Sequence, residues 1–241
     1  MTAPAPLRLP ATVQQHLYAD AAQCAQGLAQ AVAESLRESL RRRTAASLIV
    51  SGGRTPLPFF EALARQDLPW SKVVVSLADD RWVPADHADS NERLVRQHLL
   101  QGPAAAARFV PLVDAAQTPE QHLATAERKL AQLPHPYDVL VLGMGDDGHT
   151  ASIFPGAPGA AEALDTSRPQ RLALVTPSTA PHRRISLTLR ALLDSRQLLI
   201  HLAGSDKAAV IEAAALSTPA QHPIAAVLRQ DAVPVGLYYS P

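Results

Sequence analysis

An α/β fold with an open, mostly parallel sheet and helices on both faces, Rossmann-like in plan, is what this 241-residue sequence predicts. Three observations lead there. Short apolar runs without polar alternation recur along the chain, as strands buried on both faces require. Helical patterns separate those runs, so each strand is followed by a crossover. Polar clusters follow the runs at one end only, where open parallel sheets form their ligand crevice.

From residue 20 to about 43, Ala25, Leu28, Ala29, Val32, Leu36 and Leu40 recur at three and four, the period of an amphipathic helix. Arg41, Arg42 and Arg43 fill its last turn, where the dipole favours positive charge, and read as a solvated helix end. Strands are expected at ASLIV (46–50), KVVVSLA (72–78), YDVLVLG (137–143), RLALVT (171–176), QLLIHLAG (197–204) and VGLYY (235–239). Between them helical patterns run over 57–64, 90–100, 119–133, 185–193 and 206–215. With no repeat of fixed period and no long linker, residues 1–241 are expected to form a single domain. The turn-rich stretch 143–169 is long for a loop inside a compact domain, and such loops are usually functional.

Composition excludes several functions. The 22 basic and 22 acidic residues cancel, so no global field gathers nucleic acid or an anionic membrane surface. At 4% aromatic content, few stacking platforms exist for single-stranded nucleic acid. Cys24 is the only cysteine, which rules out an intramolecular disulfide and a thiolate zinc cage within one chain, and suits a reducing, cytoplasmic setting. The start, MTAPAPLRLP, has no charged and apolar leader pattern, and no run approaches the ~18 apolar residues of a membrane span. A soluble protein acting on a small molecule is therefore expected; the oligomeric state is not legible.

Four clusters follow apolar runs. In SGGRTP, Gly52 and Gly53 admit a close backbone approach, Thr55 is a candidate N-cap, and Pro56 suits a first helical turn. With Arg54, this reads as a helix start offering amide donors to an anion, although the GxxxxGK[ST] spacing is absent. The segment ADDRWVPADHADSN (78–91) gathers Asp79, Asp80, Arg81, Asp86, His87 and Asp89. Asp and His are metal-ligand types, but their spacing matches no metal-binding signature, and the segment reads as a substrate-lining loop in preference to a metal site or a plain solvated surface. In GMGDDGHT, Gly143, Gly145 and Gly148 permit a tight turn that brings Asp147 and His149 into the crevice. Of the nine histidines, His149 alone follows an apolar strand within a glycine-rich loop, and imidazole, with an unperturbed pKa of about 6.5, suits proton transfer near neutrality. Lys207 follows Gly204 and Ser205 at another strand-to-helix turn. Arg183 and Arg184 precede the pattern starting near Ile185, and each adds a cation where a helix start favours an anion.

SGGRTP, ADDRWVP followed by SN, DVLVLGMGDDGHTASIFPG, PHRRISLTL and AGSDK together resemble the 6-phosphogluconolactonase family, in the wider group that includes glucosamine-6-phosphate isomerase/deaminase. The resemblance spans about residues 45–215. It implies hydrolysis of 6-phospho-glucono-1,5-lactone to 6-phosphogluconate, the second step of the oxidative pentose phosphate route, with no cofactor and no metal. It implies that His149 is the general base and that Asp147 orients it or stabilises its charged form. It also implies that Arg81 stabilises the oxyanion, that phosphate is held by Gly53, Arg54 and Thr55 on one side and by Lys207 and one of Arg183 and Arg184 on the other, position before the ISLTL run favouring Arg184, and that Gly52 and Asp79 line the substrate. Asp80 stands where lactonases more often carry Glu, which leaves that side chain's contact open. Deaminases carry a Glu after DGH where this chain has Phe154, so deamination is the weaker reading. A sugar-phosphate sensor without turnover has little use for a base.

Overall fold

The computed structural model describes residues 2–241. Seven strands form one sheet: β1 (Val13–Leu17), β2 (Ala46–Val50), β3 (Val73–Leu77), β5 (Arg108–Phe109), β6 (Val139–Leu142), β9 (Leu198–Ala203) and β10 (Val235–Ser240). Their order is β1-β10-β9-β6-β2-β3-β5, and every adjacent pair is parallel. All residues of β2, β3 and β6 are buried, which requires cover on both sheet faces. The remaining strands, β4 (Asp79–Arg81), β7 (Leu172–Val175) and β8 (Arg184–Leu187), make a separate antiparallel sheet, β4-β8-β7.

The helices follow local chemistry. α1 (Ala21–Arg42) is capped by Asp20, whose carboxylate accepts from Gln23 N at 2.8 Å, and it buries the stripe from Cys24 to Leu36. Burial pushes the Cys24 thiol up to about 12, so it is unreactive. α2 (Leu57–Ala64) packs against α1 and buries Phe59 and Phe60. Then come α3 (Asn91–His98), α4 (Pro119–Leu130), α5 (Ala160–Leu164), α6 (Leu189–Leu193), α7 (Ser205–Ala215) and α8 (Ile224–Leu228). Thr118 and Gln121 form a capping box on α4. Among the described residues no helix is long and apolar enough to cross a membrane.

Several expectations need correction. The pattern at 185–193 splits: Arg184–Leu187 is strand β8, and Thr188 caps a helix that starts only at Leu189, its hydroxyl accepting from Ala191 N at 3.3 Å. Pairing with β4 on one side and β7 on the other overrides the local helical spacing. The run at 171–176 forms a strand as expected but joins the small sheet. β4 lies within the segment read as loop, α5 lies within 143–169, and β1 carried no signal because its half-exposed VQQHL is polar. The arginine triplet also divides. Arg41 and Arg42 pair with Glu38 in solvent, whereas Arg43 reaches buried Asp138 at 3.1 Å.

Candidate active site

The crevice opens where the strand order reverses. The chain visits β3 and β5 on one side of β2 before returning to β6 on its other side. Loops leaving the carboxyl ends of such a pair diverge, and here they are 51–56 after β2 and 143–150 after β6. Among the lining residues are Gly52, Gly53, Thr55, Asp79, Arg81, His149, Arg184 and Lys207. Every predicted site residue except Arg54 and Asp147 is in that lining, and Asp147 lies directly behind His149.

His149 Nδ1 is 2.6 Å from Asp147 Oδ1, and the His149 main-chain N–H donates to the same oxygen at 3.0 Å. With Nδ1 donating, Nε2 carries the lone pair. Burial alone pushes the Asp147 carboxyl up. The ring and main-chain donors of His149 outweigh it and hold the group at about 2, so it stays ionised behind the imidazole. Phe154 stacks on the His149 ring, centroids 4.0 Å apart at 27°, fixing its plane.

Gly145 is the backbone condition for this pair. Its N–H donates to His149 O at 2.9 Å, and a Cβ there would run into the His149 ring and Asp147 Oδ1. Gly148 adopts a left-handed φ of 74°. Gly143, by contrast, has open space around it, so its expected role in the turn is not a steric one. Gly145→Ala should displace the imidazole and lower kcat by about 10²-fold, with KM moving less. Steady-state kinetics on a variant with unchanged circular dichroism checks this, and full activity would mean that the ring position is not critical.

The small sheet supplies the opposite wall. Arg81 and Arg184 are register partners across β4 and β8. Arg81 Nη1 donates to Asp89 O at 2.6 Å. Arg184 is 5% exposed, and its Nε and Nη1 are buried without a hydrogen-bond partner among the described residues, the guanidinium lying 6.0 Å from the Phe154 ring centroid. Burial first, and the Arg81 charge second, push its pKa down. A guanidinium left unpaired in this way is costly without an anion. Arg183 pairs with Glu120 at 2.7 Å in solvent and lies outside the lining, which separates the two adjacent arginines.

The adjacent carboxylates have different tasks. Asp79 lines the pocket, with its Oδ2 accepting from Ser152 Oγ at 2.5 Å. Asp80 is buried and accepts from the main-chain N–H groups of Asn91 (2.7 Å) and Glu92 (3.1 Å) at the start of α3, and from that of its β4 neighbour Arg81 (2.8 Å). That is the contact the sequence left open. Burial pushes its carboxyl up to about 7 against the pull of those donors.

Two anion-site expectations change. Thr55 does not cap α2, because Pro56 occupies the cap position and no side chain accepts there. Thr55 still lines the pocket with Gly53, whose φ is 106°. Arg54 is exposed and absent from the lining, so the turn contributes backbone and hydroxyl rather than guanidinium. Lys207, in the first turn of α7, donates to Met144 O at 2.8 Å and pairs with Asp146 at 2.6 Å, which ties it to the histidine loop.

Residues 19–235 match the family described as glucosamine-6-phosphate isomerases/6-phosphogluconolactonase. The chain belongs to that family. A 6-phosphogluconolactonase of Pseudomonas aeruginosa is 44% identical, covering 98% of both chains. That of Neisseria meningitidis is 45% identical over 93% of this chain and 98% of its own. Among solved structures, a Shewanella baltica 6-phosphogluconolactonase superposes with a TM-score of 0.92 at 40% identity, covering 98% of this chain and all of the other. The Thermotoga maritima enzyme gives 0.78 at 25% identity, covering 95% and 100%. The open parallel α/β architecture expected from the sequence is therefore that of the lactonases.

Lactonase-pocket residues that sequence reasoning passed over include Asn91, Ser152 and His201. Asn91 and Ser152 lie inside quoted motifs, and each bonds to Asp79 (Asn91 Nδ2 to Asp79 O, 3.0 Å). His201 sits in the apolar run of β9, 5% exposed, with Nδ1 unpartnered and its ring edge-on to Phe59. Burial pushes its pKa down to about 4. The unfolded imidazole takes up its proton near 6.5, so acid favours the unfolded chain. The contribution is intact above pH 6.5 and is lost as pH falls towards 4, by on the order of 3 kcal/mol. The raised Asp80 acts in the opposite sense over this window. The comparison is therefore between variant and wild type: relative to wild type, His201→Asn should gain stability between pH 6.5 and 4 in denaturant titrations. Parallel stability curves would contradict the assignment.

Proposed function

We propose that this lactonase-family chain hydrolyses 6-phospho-D-glucono-1,5-lactone to 6-phospho-D-gluconate by base-activated attack of water on the lactone carbonyl. One observation carries the mechanism: a histidine whose Nδ1 is committed to an ionised aspartate, with Nε2 left free, in a pocket that also holds a buried guanidinium whose Nε and Nη1 have no hydrogen-bond partner among the described residues.

His149 Nε2 takes a proton from water as the oxygen adds to the carbonyl carbon, and Asp147 stabilises the imidazolium that forms. Arg81, held by Asp89 O, offers its guanidinium to the developing oxyanion. The tetrahedral centre collapses, the bond to the ring oxygen breaks, and His149 returns the proton to that oxygen. The phosphate is held by Gly53 and Thr55 at the start of α2 and by Arg184 and Lys207, remote from the bond that breaks. Its binding energy fixes the ring against the base. Gly52 and Asp79 shape the wall between them. An activated ester with an oriented water needs no cofactor. Phe154 stacked on His149 supplies no carboxylate for opening an amino sugar, which favours hydrolysis over deamination.

The neutral chain points to the phosphosugar lactone alone as partner, without nucleic acid or membrane, and the buried unpaired Cys24 suits the cytoplasm. The test is lactone consumption by purified protein, measured above spontaneous hydrolysis, beside ammonia release from glucosamine 6-phosphate. Acceleration of the first alone is expected. Binding of phosphogluconate without acceleration, or deamination, would overturn the reading.

A further inference from the structure

Because β4 and β8 run antiparallel with Arg81 opposite Arg184, the loop leaving β4 and the loop entering β8 emerge side by side. Trp82 N extends the ladder by donating to Arg183 O at 2.8 Å. His87 and Asp89 come from the first loop and His182 from the second. Among the described residues these three form a group whose donor atoms all lie within 4.8 Å of one another. We propose that His87, Asp89 and His182 bind a divalent transition-metal ion of the zinc class beside the substrate pocket.

His182 Nε2 is 3.0 Å from Asp89 Oδ2, and His87 Nδ1 is 3.9 Å from the same oxygen. Donors around tetrahedral zinc, with bonds of about 2.0–2.1 Å, stand roughly 3.4 Å apart. The present spacings bracket that value, so ligation asks for small side-chain shifts. It also requires opening the bond from Asp89 N–H to His87 Nδ1, now 3.1 Å. His182 holds a left-handed φ of 67° without being glycine, a strained backbone that aims its imidazole at Asp89.

Two imidazoles and one carboxylate are a borderline donor set, suited to zinc, cobalt or nickel. Magnesium and calcium prefer oxygen ligands throughout. Side-chain exposures of 42%, 49% and 29% leave the fourth position to water. Arg81 bonds the main-chain oxygen of Asp89 rather than its carboxylate, so the carboxylate remains available to a cation. That same bond places the site one residue from the guanidinium lining the pocket, so occupancy would stiffen the loop that holds Arg81.

The test is a zinc titration of the chelator-treated full chain by calorimetry, with magnesium in parallel. One zinc per chain is expected, no magnesium, and affinity at least ~10-fold weaker in both His87→Ala and His182→Gly. Glycine at 182 relieves the strained φ, which keeps the fold while removing the ligand. His98→Ala, at a histidine on α3 paired with Glu61, should bind as wild type does. The proposal is overturned by the absence of saturable binding below about 1 mM zinc, or by affinity that survives both substitutions.

Discussion

His149→Ala lowers kcat for lactone hydrolysis by about 10²- to 10⁴-fold and leaves KM within a few-fold, because it removes a group that acts as the proton moves. The ring is partly exposed, its polar contacts are with Asp147 alone and it stacks on Phe154, so the variant is expected to keep the fold, with circular dichroism as the check. Asp147→Asn tests the other half of the pair. It keeps the shape but offers Nδ1 a neutral partner, so the imidazolium loses its charge stabilisation and kcat falls again. Because the lactone also opens spontaneously, both variants are read against a protein-free control. A His149→Ala enzyme with wild-type kcat would show that the proton goes elsewhere.

Arg184→Ala acts on the other end of the substrate. Two charge-assisted hydrogen bonds to a phosphate, at about 1.5–3 kcal/mol each, translate into a loss of about 10²- to 10⁴-fold in kcat/KM, carried mainly by KM. Arg183→Ala, one residue away, should stay within about twofold, since its partner is Glu120 in solvent. A second readout separates binding from architecture. In the free protein Nε and Nη1 of Arg184 are buried and unpaired, so removing the guanidinium should leave the melting temperature unchanged or raise it. A structural arginine would behave the opposite way. A fall in melting temperature with unchanged KM would remove Arg184 from the anion site.

The main sheet was legible because its central strands are buried on both faces and therefore appear as unbroken apolar runs. ASLIV, KVVVSLA, YDVLVLG and QLLIHLAG all form strands close to the expected bounds. The small sheet was not legible. β4 is three polar residues, and β8 carries an apolar spacing that also fits a helix until its antiparallel partners are known. The consequence for the site is specific: Arg184 reaches the pocket from a strand, beside Arg81, rather than from a helix start. Motif position brings Asp79, Arg81, His149 and Lys207 into the pocket lining and Asp147 behind His149, because each follows a strand's carboxyl end. It could not tell which neighbour of a pair faces inward. The structure separates Asp79 from Asp80 and Arg184 from Arg183, and leaves Arg54 outside. His201 was hidden for the opposite reason, since a polar atom inside an apolar strand looks like core until its unpartnered nitrogen is seen.

A crystal structure with 6-phosphogluconate bound tests the account most directly. The phosphorus should lie against Gly53, Thr55, Arg184 and Lys207, with the product carboxylate within about 3 Å of His149 Nε2. Phosphorus beside His149, with the carboxylate against Lys207, would reverse the substrate and contradict the mechanism.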